Sequence, residues 1–342
     1  MTAVDIAKVV RDPNWLAHRY DESQDAIHFL KLGREGHRAA TFLTEEYIGA
    51  DLPRLVVRRS DAVAAAEAPA PLHFIFHSAF CLSTLLARAA DHEGMAMGLK
   101  EPVILNDMVG WKRRGADPRK LAPVLDTVLN LLARPFGMGE SVVVKPSNIL
   151  NALAPGILHL RPESNAILLY APLQTYLRSV AKKGMWCRLW VRELIRGQIQ
   201  DGIVDLGFET GDYLGQTDLQ VAAVGWLAQH ALFAATALRY GPARVRTLDS
   251  ATLLARREEV LAGLATHFRL NLQPADTEAI LAGPAFNTHS KFGVAFSGDA
   301  RAAEHRAAAE AHADEIEKVT LWAEAVAANA GISLDLRAPL VA

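Results

Sequence analysis

The residues able to do chemistry gather where apolar runs end. The run 72–76 passes into His77-Ser78-Ala79-Phe80-Cys81-Leu82-Ser83-Thr84, and a helical pattern follows over 83–90. A helix N-terminus concentrates free N–H groups and positive partial charge, so such a turn attracts phosphate or sulfate. Ser78 opens the turn, and Ser83 and Thr84 add hydroxyl donors at its end. A second run ends in Leu99-Lys100-Glu101-Pro102. A Lys-Glu pair there should face a ligand crevice. Its carboxylate is a candidate general base if a substrate proton comes within reach, although the commoner fate of a single Glu is a surface ion pair. A third run, Val142-Val143-Val144, passes straight into Lys145. A Lys closing a buried strand should meet an anion or a carboxylate.

Measured against the ATP-binding P-loop pattern, the turn departs at three places. His77 and Leu82 stand where glycines belong, and Ser83 stands where the phosphate-binding Lys belongs. Magnesium-dependent NTPases place an Asp on a neighbouring strand to hold the metal. Here the neighbouring runs end in Lys145 and in Tyr170-Ala171-Pro172, which argues against ATP hydrolysis and against a metal site. Beyond Pro172 come Arg178, Ser179, Lys182 and Lys183, then Arg188, Arg192 and Arg196 in one helical row with Tyr176, Trp186 and Trp190 interleaved. Such a row is commonly just solvated. Aromatic-basic interleaving can also mark a nucleic-acid surface, but a formal net charge of -2 over 342 residues excludes a dedicated nucleic-acid binder. Lys291 is the one basic residue of a Gly-rich loop at 283–299.

These residues need a scaffold that brings strand ends together. Strands are expected at 72–76, 96–99, 141–144 and 166–170. Helices are expected at 83–90 and 121–132, with a short helix start at 149–153 and another helix opening at Pro172. Strands alternating with helices imply an α/β fold, a parallel sheet flanked by helices. Ligands bind such sheets at the carboxyl ends of the strands. Further helices are expected over 249–268 and 301–330. Residues 1–60 form an N-terminal cap segment with a strand at 26–32 and a short helix at 37–47. The Ala- and Pro-rich stretch 61–71 reads as a linker or a frayed helix end and is the candidate boundary, with 72–342 the main domain and its helical extension.

Apolar residues make up 51% of the chain and charged residues 22%, the balance of a globular protein and not a disordered one. Two distant cysteines, Cys81 and Cys187, fit free thiols in a reducing compartment, so a cytoplasmic location is expected. The charged N-terminus does not read as a secretory leader. The apolar stretch 219–238 is long enough to span a membrane, but Gln220, Gln229 and His230 interrupt it, so a buried helix is expected instead.

The order of these features resembles the P-loop sulfotransferase superfamily over residues 72–183, with a looser echo at 249–270. The resemblance implies a P-loop, three-layer architecture and the donor phosphoadenosine phosphosulfate (PAPS). In that family the first turn grips the phosphosulfate with a basic residue, Ser, Gly and Thr. Ser83 and Thr84 match, while Phe80 stands at the basic position and Leu82 at the Gly, a degenerate form of the loop. Lys145 matches the family's third-strand Lys. Cytosolic members carry a His base where Ser147 stands; the heparan-sulfate branch uses a Lys-Glu pair that Lys100-Glu101 resembles. The family's Arg and Ser for the donor's extra phosphate fall at Tyr170 and Arg178, with Ser179 one place off. The implied activity is sulfuryl transfer to a hydroxyl or amine of a small molecule. Glu101 would be the base, Lys145 would neutralise the leaving oxygen, and Lys291 would close over the donor. The alternatives are a non-catalytic P-loop protein binding a phosphorylated metabolite or a protein partner, and a kinase-like phosphotransferase.

Overall fold

The computed structural model describes residues 5–209, 211–287 and 298–341, and of 298–311 the backbone only. Lys291 lies outside the described residues. The N-terminal segment forms a small antiparallel sheet of β1 (Trp15–Asp21), β2 (Ala26–Lys31) and β3 (Arg54–Arg58), in that order. The main sheet holds β4 (Leu72–His77), β5 (Ala96–Lys100), β6 (Ser141–Lys145), β7 (Ala166–Tyr170) and β8 (Val245–Asp249). All its pairings are parallel, in the order β5-β6-β4-β7-β8.

Every residue of β4, β5 and β6 is buried. Strands covered on both faces read as unbroken apolar runs. Alternation at period two then divides their side chains between two cores. Phe74, Phe76, Leu99, Val142 and Val144 pack into one, and Ile75, Ala96, Val143 and Ile167 into the other. Helices lie on both sides, which makes a three-layer α/β fold. The chain leaves β4 toward the β5 edge, returns along β6, and jumps past β4 to β7. The winding therefore reverses at β4, and the crevice beyond the carboxyl ends of β4, β6 and β7 is where such a sheet binds ligands.

Several sequence expectations need correction. The helix expected over 37–47 is Arg34–Ala39. It stops there because the following segment is captured by β5: Leu43 N–H donates to Lys100 O (2.7 Å) and Val103 N–H to Leu43 O (3.1 Å). Of the two readings of 61–71, the first part is a helix end, Arg59–Ala65, and residues 66–71 connect it to β4 without regular structure. The helix expected over 249–268 is two, Ser250–Ala255 and Arg257–Phe268, broken at Arg256, and its first residue closes β8. Helix Asp218–Tyr240 is, among the described residues, the one long and apolar enough to cross a membrane. It is packed inside the protein. Its Gln229 accepts from Asn151 Nδ2 (2.9 Å), and its His230 Nε2 bonds Leu334 O (2.9 Å).

Candidate functional site

The turn after β4 is built from backbone conformations that usually call for glycine. Ala79, Phe80 and Leu82 have φ of 71°, 52° and 68°. Each left-handed non-glycine residue costs about 1–2 kcal/mol, so the surroundings must hold the turn in place. His77 supplies one brace. Its Nδ1 accepts from Ala79 N–H (3.1 Å), which leaves the ring proton on Nε2, and Nε2 donates to Pro146 O (3.0 Å). Ser78 supplies another: its N–H donates to Leu169 O (3.0 Å), and its hydroxyl accepts from Ala171 N–H (3.3 Å). Ser78 thus ties the turn to β7.

Leu82 caps helix Ser83–Ala90, whose first-turn N–H groups open onto the turn. Ser83 and Thr84 are both buried there. Cys81 is wholly buried inside the turn. Burial raises its thiol pKa, while the charge of Lys145 and hydrogen bonds from the Ser83 N–H and hydroxyl pull the other way. Part of the turn's donor capacity is therefore spent on its own cysteine.

Glu101 and Lys145 meet. Register pairs Lys100 with Lys145, and Glu101 N–H donates to Lys145 O (2.7 Å). Glu101 takes a left-handed φ of 53° as the chain leaves β5, and its Oε1 accepts from Lys145 Nζ. The Lys145 side chain is 1% exposed and that of Glu101 18%, so the pair has one sealed end and one open end. Lys145 Nζ also lies over the ring of Phe42, 4.9 Å from its centroid. Phe42 meets Tyr47 edge to face at 5.3 Å. The phenol of Tyr47 has a raised pKa, through burial first and then the negative charges of Glu46 and Glu101.

Lys100 does not share the crevice with Glu101, contrary to the sequence expectation. Lys100 is the last residue of β5, and Glu101 leaves the strand through a left-handed φ of 53°, so its side chain does not follow the strand's alternation. The Lys100 ammonium donates to the carbonyls of Arg38 (3.0 Å) and Ala40 (2.6 Å) beneath the N-terminal segment, and burial lowers its pKa to about 7. The residues expected at the second phosphate each make contacts within the protein. Arg178 donates to Gln174 Oε1 on its own helix (3.3 Å), and the hydroxyl of Ser179 donates back to Thr175 O (2.9 Å). Tyr170 packs edge to face on His230 (5.2 Å). Its phenol is pushed up to about 12 by burial and by the carboxylates of Asp249 and Asp335.

The basic row on helix Gly184–Gln200 is consumed internally. Arg188 pairs with Glu315 (3.1 Å), Arg192 with Asp218 (2.6 Å), and Arg196 with Glu193. The same helix packs against the turn. Trp190 meets Phe80 of the turn at 5.4 Å. Asp201, just past its end, accepts from Lys112 (2.7 Å) and Arg113 (2.7 Å) on helix Ile104–Arg113. Among the described residues no group of three His, Cys, Asp or Glu side chains could hold a metal ion. Sequence reasoning missed Phe42 and His77. The signal for His77 was its place at the strand end, where a side chain can brace the next turn.

No family model matches the chain, and no curated protein matches it. The solved structures it is similar to include two sulfotransferase domains. One is from the curacin biosynthetic pathway, at 15% identity and a TM-score of 0.43, covering 79% of this chain and 100% of that one. The other is from the Synechococcus PCC 7002 olefin synthase, at 14% identity and a TM-score of 0.39, covering 69% of this chain and 84% of that one.

Proposed function

We propose that this chain transfers a sulfuryl group from PAPS to the hydroxyl or amine of a small molecule. The observation that carries the reading is the Glu101–Lys145 pair, held at the carboxyl edge of the sheet beside the turn that opens helix Ser83–Ala90. The half-open carboxylate of Glu101 takes the acceptor's proton. The acceptor's oxygen or nitrogen forms a bond to sulfur, and the bond from sulfur to the bridging phosphate oxygen breaks. Lys145 and the first-turn N–H groups of the helix neutralise the charge developing on that bridging oxygen. Ser83 and Thr84 line the place for the phosphosulfate end. The fit is better at that end than at the nucleotide's extra phosphate. There Tyr170 lies within the field of Asp249 and Asp335, and Ser179 spends its hydroxyl on its own helix.

The deciding experiment is a transfer assay with and without magnesium, beside a thermal-shift screen against PAPS, its desulfonated product and ATP with magnesium. PAPS should stabilise the protein, and transfer should need no magnesium. Glu101→Gln should lower turnover roughly 10²–10⁴-fold, as for a lost general base, with donor binding retained. Full turnover in that variant, or stabilisation by ATP with magnesium alone, overturns the reading. A second reading, a non-catalytic anion binder, is favoured by the burial of Cys81 inside the turn. Stabilisation by PAPS without turnover by the unmodified protein identifies it.

A further inference from the structure

We propose that the N-terminal sheet unit is a working part of this site, and that Phe42 is the positioning residue through which it acts. The inference rests on the reading of Lys145 given above. Three observations carry it.

The first is contact. A sealed ammonium has few partners to fix its direction, and among the described residues those of Lys145 are the carboxylate of Glu101 and the face of Phe42 at 4.9 Å. A cation over an aromatic face is attracted by the ring's quadrupole, and more strongly when water is excluded. With one donor on Glu101 and one side against the ring, the remaining N–H of Lys145 has a narrowed range of directions in which to meet an anion.

The second is anchorage. The segment carrying Phe42 does not merely lie against the main sheet. Leu43 exchanges backbone hydrogen bonds with Lys100 and Val103 on either side of Glu101. The buried ammonium of Lys100 grips Arg38 O and Ala40 O just before Phe42. Phe42 is thus registered to the same strand end that presents Glu101. Tyr47 backs its ring edge to face.

The third is expense. Burying the Lys100 ammonium to hold two carbonyls costs desolvation, shown by its lowered pKa of about 7. A simple packing role for residues 38–43 could be filled by an apolar side chain at position 100.

The test is a double-mutant cycle of Phe42→Leu and Lys145→Met. It is read by calorimetric titration with the desulfonated product of PAPS and with inorganic sulfate, and by urea unfolding of all four proteins. Phe42→Leu keeps apolar bulk and removes the ring. It should weaken anion binding about 3- to 30-fold, the span expected for a cation–π contact shielded from water. The loss should vanish in the Lys145→Met background, and Phe42→Trp should restore affinity. An equal loss in both backgrounds makes Phe42 a packing residue and overturns the inference. If the unmodified protein binds neither anion, the proposed function fails, while the unfolding data still read the Phe42–Lys145 coupling. Additive stabilities there overturn the inference independently.

Discussion

Removing the two halves of the Glu101–Lys145 pair should not cost the same. Breaking a buried ion pair by deleting one partner costs about 3–5 kcal/mol, because the other charge is left buried and unpaired. In Glu101→Gln the stranded group is Lys145, whose side chain is 1% exposed. Two features reduce the penalty: the Gln carbonyl still accepts a hydrogen bond, and the Phe42 ring still faces the ammonium. With about 0.5–2 kcal/mol for the ring contact retained, a loss of about 2–3 kcal/mol is expected. In Lys145→Met the stranded group is Glu101, at 18% exposure. Its carboxylate can turn to water, and the Met stem keeps most of the packing, so the loss should be about 0–1 kcal/mol. Equilibrium urea unfolding near neutral pH measures both, with the denaturant slope checked for constancy. Lys145→Met should be the more stable by about 2 kcal/mol, and the double variant should lie close to it. Equal losses, or the reverse order, would show that Lys145 is not sealed and refute the geometry.

Acid should unfold this protein through its buried imidazoles. Burial lowers His37 to about 3 and His73 and His230 to about 4, against 6.5 for the free group. The unfolded chain takes these protons near pH 6.5 and the folded chain does not, so stability is full above 6.5 and falls as pH drops toward 4. The slope approaches about 1.4 kcal/mol per unit for each histidine, or roughly 4 for the three; a urea midpoint unchanged between pH 6.5 and 5 would contradict it. Gly98→Ala should push helix Ser83–Ala90 off β5. A Cβ there would meet Ala87 O at 2.6 Å and Asp91 Cβ at 3.0 Å. Overpacking of this kind costs about 1–3 kcal/mol, and a melting temperature at or above that of the unmodified protein would count against the close approach.

The strands that hold the site were readable because burial on both faces leaves an uninterrupted apolar signal. The runs 72–76, 96–99, 141–144 and 166–170 each fall within one residue of β4 to β7. The strands at the margins gave no such signal. Trp15–Asp21 mixes aromatic, basic and acidic residues, and Arg54–Arg58 buries only Val57. Such strands are specified by what they pair with. Helix Ile104–Arg113 went unseen because its apolar stripe is interrupted by Asp107 and Lys112, both of which have partners elsewhere in the chain, Arg19 and Asp201.

At the site, the sequence required a partner for Lys145 and left its identity open. The partner is Glu101, 44 residues earlier, and parallel register brings them together. That meeting also explains why Lys100 and Glu101 could not act side by side. Register puts Lys100 and Lys145 on the same face, and the left-handed φ of 53° at Glu101 carries its carboxylate to Lys145 while Lys100 is held by the carbonyls of Arg38 and Ala40. Glycine spacing proved a poor detector of the turn for a related reason. A glycine-rich loop reaches left-handed conformations without strain; this turn reaches them at Ala79, Phe80 and Leu82 because His77, Ser78 and Cys81 brace it from both sides and from within. The conformation belongs to the brace as much as to the loop, and a motif written in loop residues alone does not describe it. Phe42 is the extreme case, since nothing near it in the sequence hints at Lys145. Its place follows from a Lys at the end of one strand gripping two carbonyls of another unit, a contact that exists only once both units have folded.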